Sequence, residues 1–98
     1  NLEAAIERMP LVEKAQRVSH WAGLYEVTPD AHPIYGATHI NGFYVCTGFS
    51  GHGFMHGPIS GKLMSEYILD GKFSSVDVSM LDLNRFEEGR LIQEYNVV

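Results

Sequence analysis

One cysteine, Cys46, leaves this sequence without an internal disulfide. With no Cys pair and no secretory apolar segment, the expected setting is a reducing one, the cytoplasm. Cations are scarce: seven Lys and Arg against twelve Asp and Glu give a net charge of −5, with no basic run. Binding along a phosphate backbone needs clustered Lys and Arg, so nucleic acid is not an expected partner. No apolar run approaches the roughly 18 residues that a bilayer-crossing helix needs, so no membrane span is expected. Length is short too. Ninety-eight residues make one domain at most, and so small a chain buries a modest share of its surface unless something else covers it. Disorder is not the alternative, because 45% apolar against 19% charged residues is an ordinary globular balance.

Glycine is what the sequence has in excess. Six of its ten glycines fall between Gly42 and Gly61, which marks unusual backbone angles or close approach of backbone to something else. Around that cluster the pattern predicts an α+β chain. Leu2, Ala5, Ile6 and Met9 share a helical face, and Pro10 interrupts that helix or starts a new turn. Leu11, Val12 and Ala15 carry a helical stripe to about Gln16. Val18 to Thr28 favours a strand, stopped by Thr28-Pro29-Asp30. A short segment at Pro33 to Tyr35 leads to a hairpin signal, Asn41-Gly42. Phe43 to Thr47, apolar on both faces, predicts a buried strand. A helix follows from about Met55 or Pro58 to Asp70, with Gly71 just past its end and Met55, Ile59, Leu63 and Tyr67 repeating every four residues. Gly57, Ser60 and Gly61 form a small-residue patch. One more short helix is expected within Ser79 to Glu88, and the apolar tail Leu91 to Val98 has no evident partner.

The chemistry concentrates where the buried strand runs through Gly48-Phe49-Ser50-Gly51-His52-Gly53-Phe54 into the helix. A strand, a Gly-rich turn and a helix N-terminus aim backbone N–H groups and a positive dipole end at one spot, favouring anions, phosphates or electron-rich carbonyls. Four readings compete. Gly51, Gly53 and Gly57 spell a loosened dinucleotide fingerprint, but that motif is followed by a second parallel strand, for which Val76-Asp77-Val78 is the faint candidate. Gly48-x-Ser50-x-His52 starts like a hydrolase elbow and lacks its last glycine. His52 and His56 have the spacing of two metal ligands on one helix face, yet no carboxylate or cysteine lies near them in sequence. A purely structural turn is the fourth reading, and it leaves a His flanked by two glycines at a helix mouth without a reason.

Three stretches taken in order resemble the C-terminal part of the D-amino-acid oxidase superfamily. They are Trp21-Ala22-Gly23-Leu24-Tyr25-Glu26-Val27-Thr28-Pro29-Asp30 with Pro33-Ile34-Tyr35-Gly36; then Gly42 through Phe54; then the helix to Gly71, closed by Asp82-Leu83-Asn84-Arg85-Phe86. More narrowly they are similar to sarcosine oxidase, dimethylglycine dehydrogenase and the β subunits of L-proline dehydrogenases. The resemblance covers about residues 10 to 90.

The resemblance implies a segment of a longer flavoenzyme, and a chain opening Asn1-Leu2-Glu3-Ala4 in mid-helix suits that expectation. It implies a piece of an FAD-linked reductase fold, α+β, with strands from the substrate sheet and the FAD domain. Residues 1–30 would supply a helix and a substrate-domain strand. Residues 31–98 would supply an FAD-domain strand, the Gly-rich flavin loop, a helix and the tail. Gly51, His52, Gly53, Phe54 and Met55 would line the flavin, and Tyr25 and Met55 would face the substrate. The expected reaction is oxidation of the C–N bond of a small amine or amino acid of the sarcosine, dimethylglycine, glycine or proline class, with hydride passing to FAD. Monomeric sarcosine oxidases carry a Cys, the point of covalent flavin attachment, where Gly23 stands here, so FAD is expected to bind non-covalently. They also carry a substrate-binding Lys where Met55 stands, so any carboxylate anchor must differ. No catalytic base and no metal are assigned. Partners implied are the substrate, the remainder of the same chain, and other subunits or self-association. The isolated segment is expected to be inactive. The rival expectation is a non-catalytic interaction or structural module that keeps the scaffold without flavin.

Overall fold

The computed structural model describes residues 2–93. Leu2, Ala5 and Ile6 fall on one face of α1 (Leu2–Arg8), of which Ile6 alone is partly covered. Pro10 lacks the N–H that would continue an α-helix and opens a 3-10 turn instead, Pro10–Lys14. The helical stripe expected to reach Gln16 ends there, where Ala15 becomes extended at ψ 138°.

Residues 15–28 form neither helix nor strand, a correction to the strand expected over Val18–Thr28. Its β-favouring side chains are real, but a strand exists only through a neighbour that takes its N–H and C=O groups. The only sheet among the described residues is the pair formed further along the chain, and Val18, Trp21, Leu24 and Val27 stand exposed.

Order resumes at Thr28. Its hydroxyl lies 3.1 Å from Asp30 Oδ1 and 2.6 Å from the His32 carbonyl, closing a tight turn in which Ala31 sits at φ +58°. β1 (Ile34–Ala37) then pairs antiparallel with β2 (Tyr44–Thr47), Ile34 opposite Thr47 and Ala37 opposite Tyr44. The Asn41-Gly42 turn joins them as the sequence predicts. Phe43 N–H returns to the Ile40 carbonyl at 3.0 Å while Gly42 takes φ +78°, an angle that favours glycine. The burial expected on both faces of Phe43–Thr47 is absent: Phe43, Tyr44 and Cys46 are exposed. The sheet has two strands, and α2 lies against β1, so among the described residues β2 has little to pack on beyond the edge-on contact of Tyr44 with Tyr67, ring centroids 6.1 Å apart.

α2 (Gly53–Asp70) starts earlier than the expected Met55 or Pro58. Gly53 is helical because its open side takes the Phe49 side chain, at 3.5 Å from where a Cβ would be, and because His56 N–H reaches the His52 carbonyl at 3.2 Å. Pro58 therefore falls inside the helix, and Phe54 loses its usual N–H partner. The far end is as predicted: Gly71 adopts φ +72° and returns its N–H to the Tyr67 carbonyl at 2.9 Å. Only Leu63 of the four-residue stripe is buried. It joins Ile34 and Tyr35 in a small core with the Ser60 side chain. Ser60 Oγ gives its proton to the His56 carbonyl at 2.8 Å, so the 2.6 Å contact with Tyr35 is donated by the tyrosine.

Two 3-10 turns, Ser79–Leu81 and Leu83–Arg85, replace the helix expected within Ser79 to Glu88, because Asp82 between them is extended at ψ 156°. Val76–Val78 forms no strand. The tail expected over Leu91–Val98 lies, beyond Gln93, outside the described residues. The radius of gyration is 17.9 Å, against about 13 Å for a compact domain of this length. The described residues close around no more than the small core of Ile34, Tyr35, Leu63 and Ser60.

What binds the last segment to the first turn is a buried ion pair. Arg85 is fully buried, and its Nε and Nη2 donate to the two Asp30 carboxylate oxygens at 2.8 and 2.9 Å. The remaining Arg85 donors reach the carbonyls of Leu81, Asp82 and His32 at 2.9 to 3.0 Å. Asp30 also accepts from the N–H groups of His32 and Ile92. The guanidinium beside it, followed by these N–H groups, holds the Asp30 carboxyl well below the usual carboxylate range.

Candidate flavin-facing site

Between the end of β2 and the start of α2 the chain reverses within five residues, and three of them are left-handed. Gly48 sits at φ +81°, Ser50 at +50° and Gly51 at +86°. Glycine at position 48 is also required by space, because a Cβ there would lie 2.4 Å from Thr28 Cγ2. Ser50 has no such freedom. Its strained backbone is accompanied by a hydrogen bond from its hydroxyl to the Ala31 carbonyl, 3.2 Å, and Ala31 is itself left-handed. His52 N–H turns back to the Phe49 carbonyl at 2.9 Å and closes the loop.

This turn points Phe49 inward and leaves Gly51 and His52 exposed. Phe49 packs edge-on to Tyr35, ring centroids 5.7 Å apart, and beside His56. His52 and His56 stack, 6.1 Å between centroids. Phe54 and Met55 stand exposed on the first turn of α2. The main-chain N–H groups of Gly53, Phe54 and Met55 have no acceptor among the described residues, as the first turn of a helix leaves them.

Tyr25 lies 26 residues upstream of Gly51, in the segment without secondary structure, yet its ring covers that glycine: a Cβ at Gly51 would sit 3.6 to 3.7 Å from three of its ring carbons. The structure therefore brings Tyr25 to the loop that contains Gly51, His52 and Gly53. Phe54 and Met55 occupy the adjoining helical turn. Next to Tyr25, Glu26 reaches the other end of the loop, accepting from Gly48 N–H at 3.2 Å and Thr47 Oγ1 at 3.4 Å.

The other readings of this turn lose ground on geometry. The Ser50 hydroxyl is engaged with a carbonyl rather than a base. Among the described residues no three His, Cys, Asp or Glu side chains gather to hold a metal ion, and no second parallel strand follows α2. Reasoning from the residues alone missed Glu26 and the Asp30–Arg85 pair. Asp30 and Arg85 carry the signal only as members of two motifs far apart in the chain, with nothing local to link them.

Residues 1–67 match the family model described as FAD dependent oxidoreductase. The chain is 39% identical over 93 residues to the FAD-dependent oxidoreductase domain-containing protein 1 homolog of Drosophila melanogaster, covering 93% of this chain and 18% of that protein. It is 33% identical over 91 residues to sarcosine oxidase subunit beta of Rhodobacter capsulatus, covering 93% of this chain and 22% of that one. The crystal structure of L-proline dehydrogenase from P. horikoshii superposes with a TM-score of 0.74 at 35% identity, over 92% of this chain and 24% of that chain. The chain thus spans about a fifth of the length of these relatives. No described helix is long and apolar enough to cross a membrane.

Proposed function

From the premise that this chain belongs to the FAD dependent oxidoreductase family, we propose that it is the flavin-facing segment of a larger enzyme that oxidises the C–N bond of a small amine or amino acid. The observation that carries this reading is the mouth of α2. The main-chain N–H groups of Gly53, Phe54 and Met55 have no acceptor there among the described residues, and the exposed Gly51 and His52 lead into them. A flat, electron-rich ring edge fits such a place, because fixed donors at a helix N-terminus favour negative charge as it develops.

In this reading Gly51, His52, Gly53, Phe54 and Met55 hold the isoalloxazine of FAD. The N–H groups of the first turn of α2 would supply its donors, and the exposed Phe54 and Met55 side chains would exclude water. Tyr25, lying over Gly51, and Met55 border the substrate. Met55 cannot bind a carboxylate, so an amino-acid substrate is anchored from elsewhere in the enzyme. Bound there, FAD would supply the hydride acceptor for oxidation of the substrate's C–N bond, while the protein binds, orients and shields. Attachment is non-covalent, since Gly23 offers no nucleophile. The names of the relatives, a sarcosine oxidase subunit and an L-proline dehydrogenase, favour a substrate of the sarcosine, dimethylglycine, glycine or proline class. The missing four-fifths of the enzyme, and further subunits, would cover β2 and the exposed apolar residues; the segment alone is inactive. A reducing cytoplasmic setting goes with the unpaired Cys46.

The full-length protein should be yellow, with a visible band that bleaches when the right amine is added without oxygen. Gly53→Val, whose added methyls press on Phe49 behind the mouth of α2, should displace these donors and lower FAD affinity at least about tenfold, the equivalent of one hydrogen bond lost. A colourless full-length protein that gains no band from added FAD, or a Gly53→Val variant with unchanged flavin content, would sink the reading.

A further inference from the structure

The segment from Tyr25 to His32 lies across the Gly48–His52 turn like a strap, and it touches the turn at four places. The Tyr25 ring covers Gly51, the Glu26 carboxylate accepts from Gly48 N–H and Thr47 Oγ1, the Thr28 methyl abuts Gly48, and the Ala31 carbonyl accepts from Ser50 Oγ. Behind it the strap is fastened by the buried Asp30–Arg85 pair. Its two non-glycine left-handed neighbours, Ala31 and Ser50, are the pair joined by that hydrogen bond. Backbone strain of this kind persists only where the surroundings over-determine it.

Glu26 is the one charged group in this contact. Its partners among the described residues are N–H and O–H groups rather than a cation. Left-handed residues turn successive N–H groups toward one side and form an anion-binding concavity, and a carboxylate there makes charge-assisted hydrogen bonds. Its own N–H and that of Gly48 hold the Glu26 carboxyl below its ordinary value, so it is charged at neutral pH.

We propose that Glu26 is the positioning residue of the flavin loop: its carboxylate fills the N–H concavity at Gly48, fixes where β2 ends, and so sets the backbone that Gly51 to Met55 present to the cofactor. This role rests on the flavin reading above, and it is exerted through the Gly48 main chain.

The test uses the full-length protein with Glu26→Ala, Glu26→Gln and Glu26→Asp. Three quantities are followed: hydrogen exchange of the 47–51 amides in the flavin-free form, the FAD dissociation constant, and the visible circular dichroism of bound FAD. Glu26→Ala should speed exchange at Gly48 and weaken FAD binding, each by about tenfold, as for one charge-assisted hydrogen bond lost. It should also change the dichroism of whatever flavin remains. Glu26→Gln keeps a carbonyl oxygen in the place of Oε1 and should return affinity and dichroism close to wild type. Glu26→Asp keeps the charge but is one methylene short of Gly48, and should behave like Ala; it also serves if the alanine variant fails to fold. Wild-type protein that binds FAD while Glu26→Asp matches it in exchange and affinity overturns this inference alone. Wild-type protein that binds no FAD overturns the flavin reading and this role together.

Discussion

Arg85 directs all five of its N–H donors to acceptors inside the chain, whereas the N–H groups of Gly53, Phe54 and Met55 have none among the described residues. The two regions are linked by the strap yet differ in kind. Around Asp30 and Arg85 the segment is complete: charges are paired, carbonyls are used, and no buried side-chain polar atom among the described residues lacks a partner. At the mouth of α2 it is open, with donors that find no acceptor among the described residues and with Phe54 and Met55 exposed. One region carries structure that this chain supplies to itself. The other is the place where the proposed function puts a ligand.

The sharpest way to break that contrast is to break the complete side. Arg85→Met in the full-length protein leaves Asp30 buried without its cation and should cost about 3–5 kcal/mol, read from denaturant unfolding. The pH dependence has a definite sign. The Asp30 carboxyl is depressed from its ordinary 3.8, so the pair's contribution is fully present above that value and is lost as pH falls below it toward the folded-state value. Arg85→Met should therefore flatten the acid limb of the stability curve. An unchanged acid limb, or a loss under about 1 kcal/mol, the range of an exposed pair, would show that the pair is not the node described.

A smaller effect is expected where the strap meets the loop. Gly48→Ala places a Cβ 2.4 Å from Thr28 Cγ2 at a left-handed φ. The strain and the overlap together should destabilise by about 2 kcal/mol. Thr28→Ser removes that methyl and keeps the hydroxyl that bonds Asp30 and His32, so the double variant should recover the steric part, about 1 kcal/mol, as a measurable coupling. Strict additivity in the cycle would separate strap from loop and undo the link between the two regions.

How legible these regions were in the sequence follows from how local their causes are. Asn41-Gly42, Pro10 and Gly71 announce a turn, a helix break and a helix end through their own backbone preferences, and the structure agrees at all three. The loop's glycines are legible for the same reason. The strand expected over Val18–Thr28 and the burial expected of β2 differ from the structure for one reason: both depend on neighbours that the described residues do not supply. The start of α2 was misplaced because glycine's poor helix propensity argued against Gly53, while Phe49 packing on its open side decided for it. Arg85 and Asp30 stand 55 residues apart, and no period or spacing pairs residues at that distance. Tyr25 is a site residue through the resemblance alone, and its place over Gly51 comes from the fold.

The smallest expected effect tests whether the open side of the molecule is open by design. On α2, Ser60 and Leu63 face the core, while Gly57 and Gly61 point where an added Cβ meets nothing within 4 Å. In a peptide covering 52–72, which has no tertiary contacts, Gly57→Ala and Gly61→Ala should each favour helix by about 1 kcal/mol, seen as a rise in circular dichroism at 222 nm. Solvent-facing glycines would give the same gain in the full-length protein. Glycines kept small so that another backbone or a ring can lie against α2 would give the opposite sign there, a lower melting temperature, because the added methyl overpacks the contact. We expect the reversal. A gain in both settings would mean that this face of α2 stays in water, and the contrast between a finished and an unfinished region would then stop at Met55 instead of running along the helix.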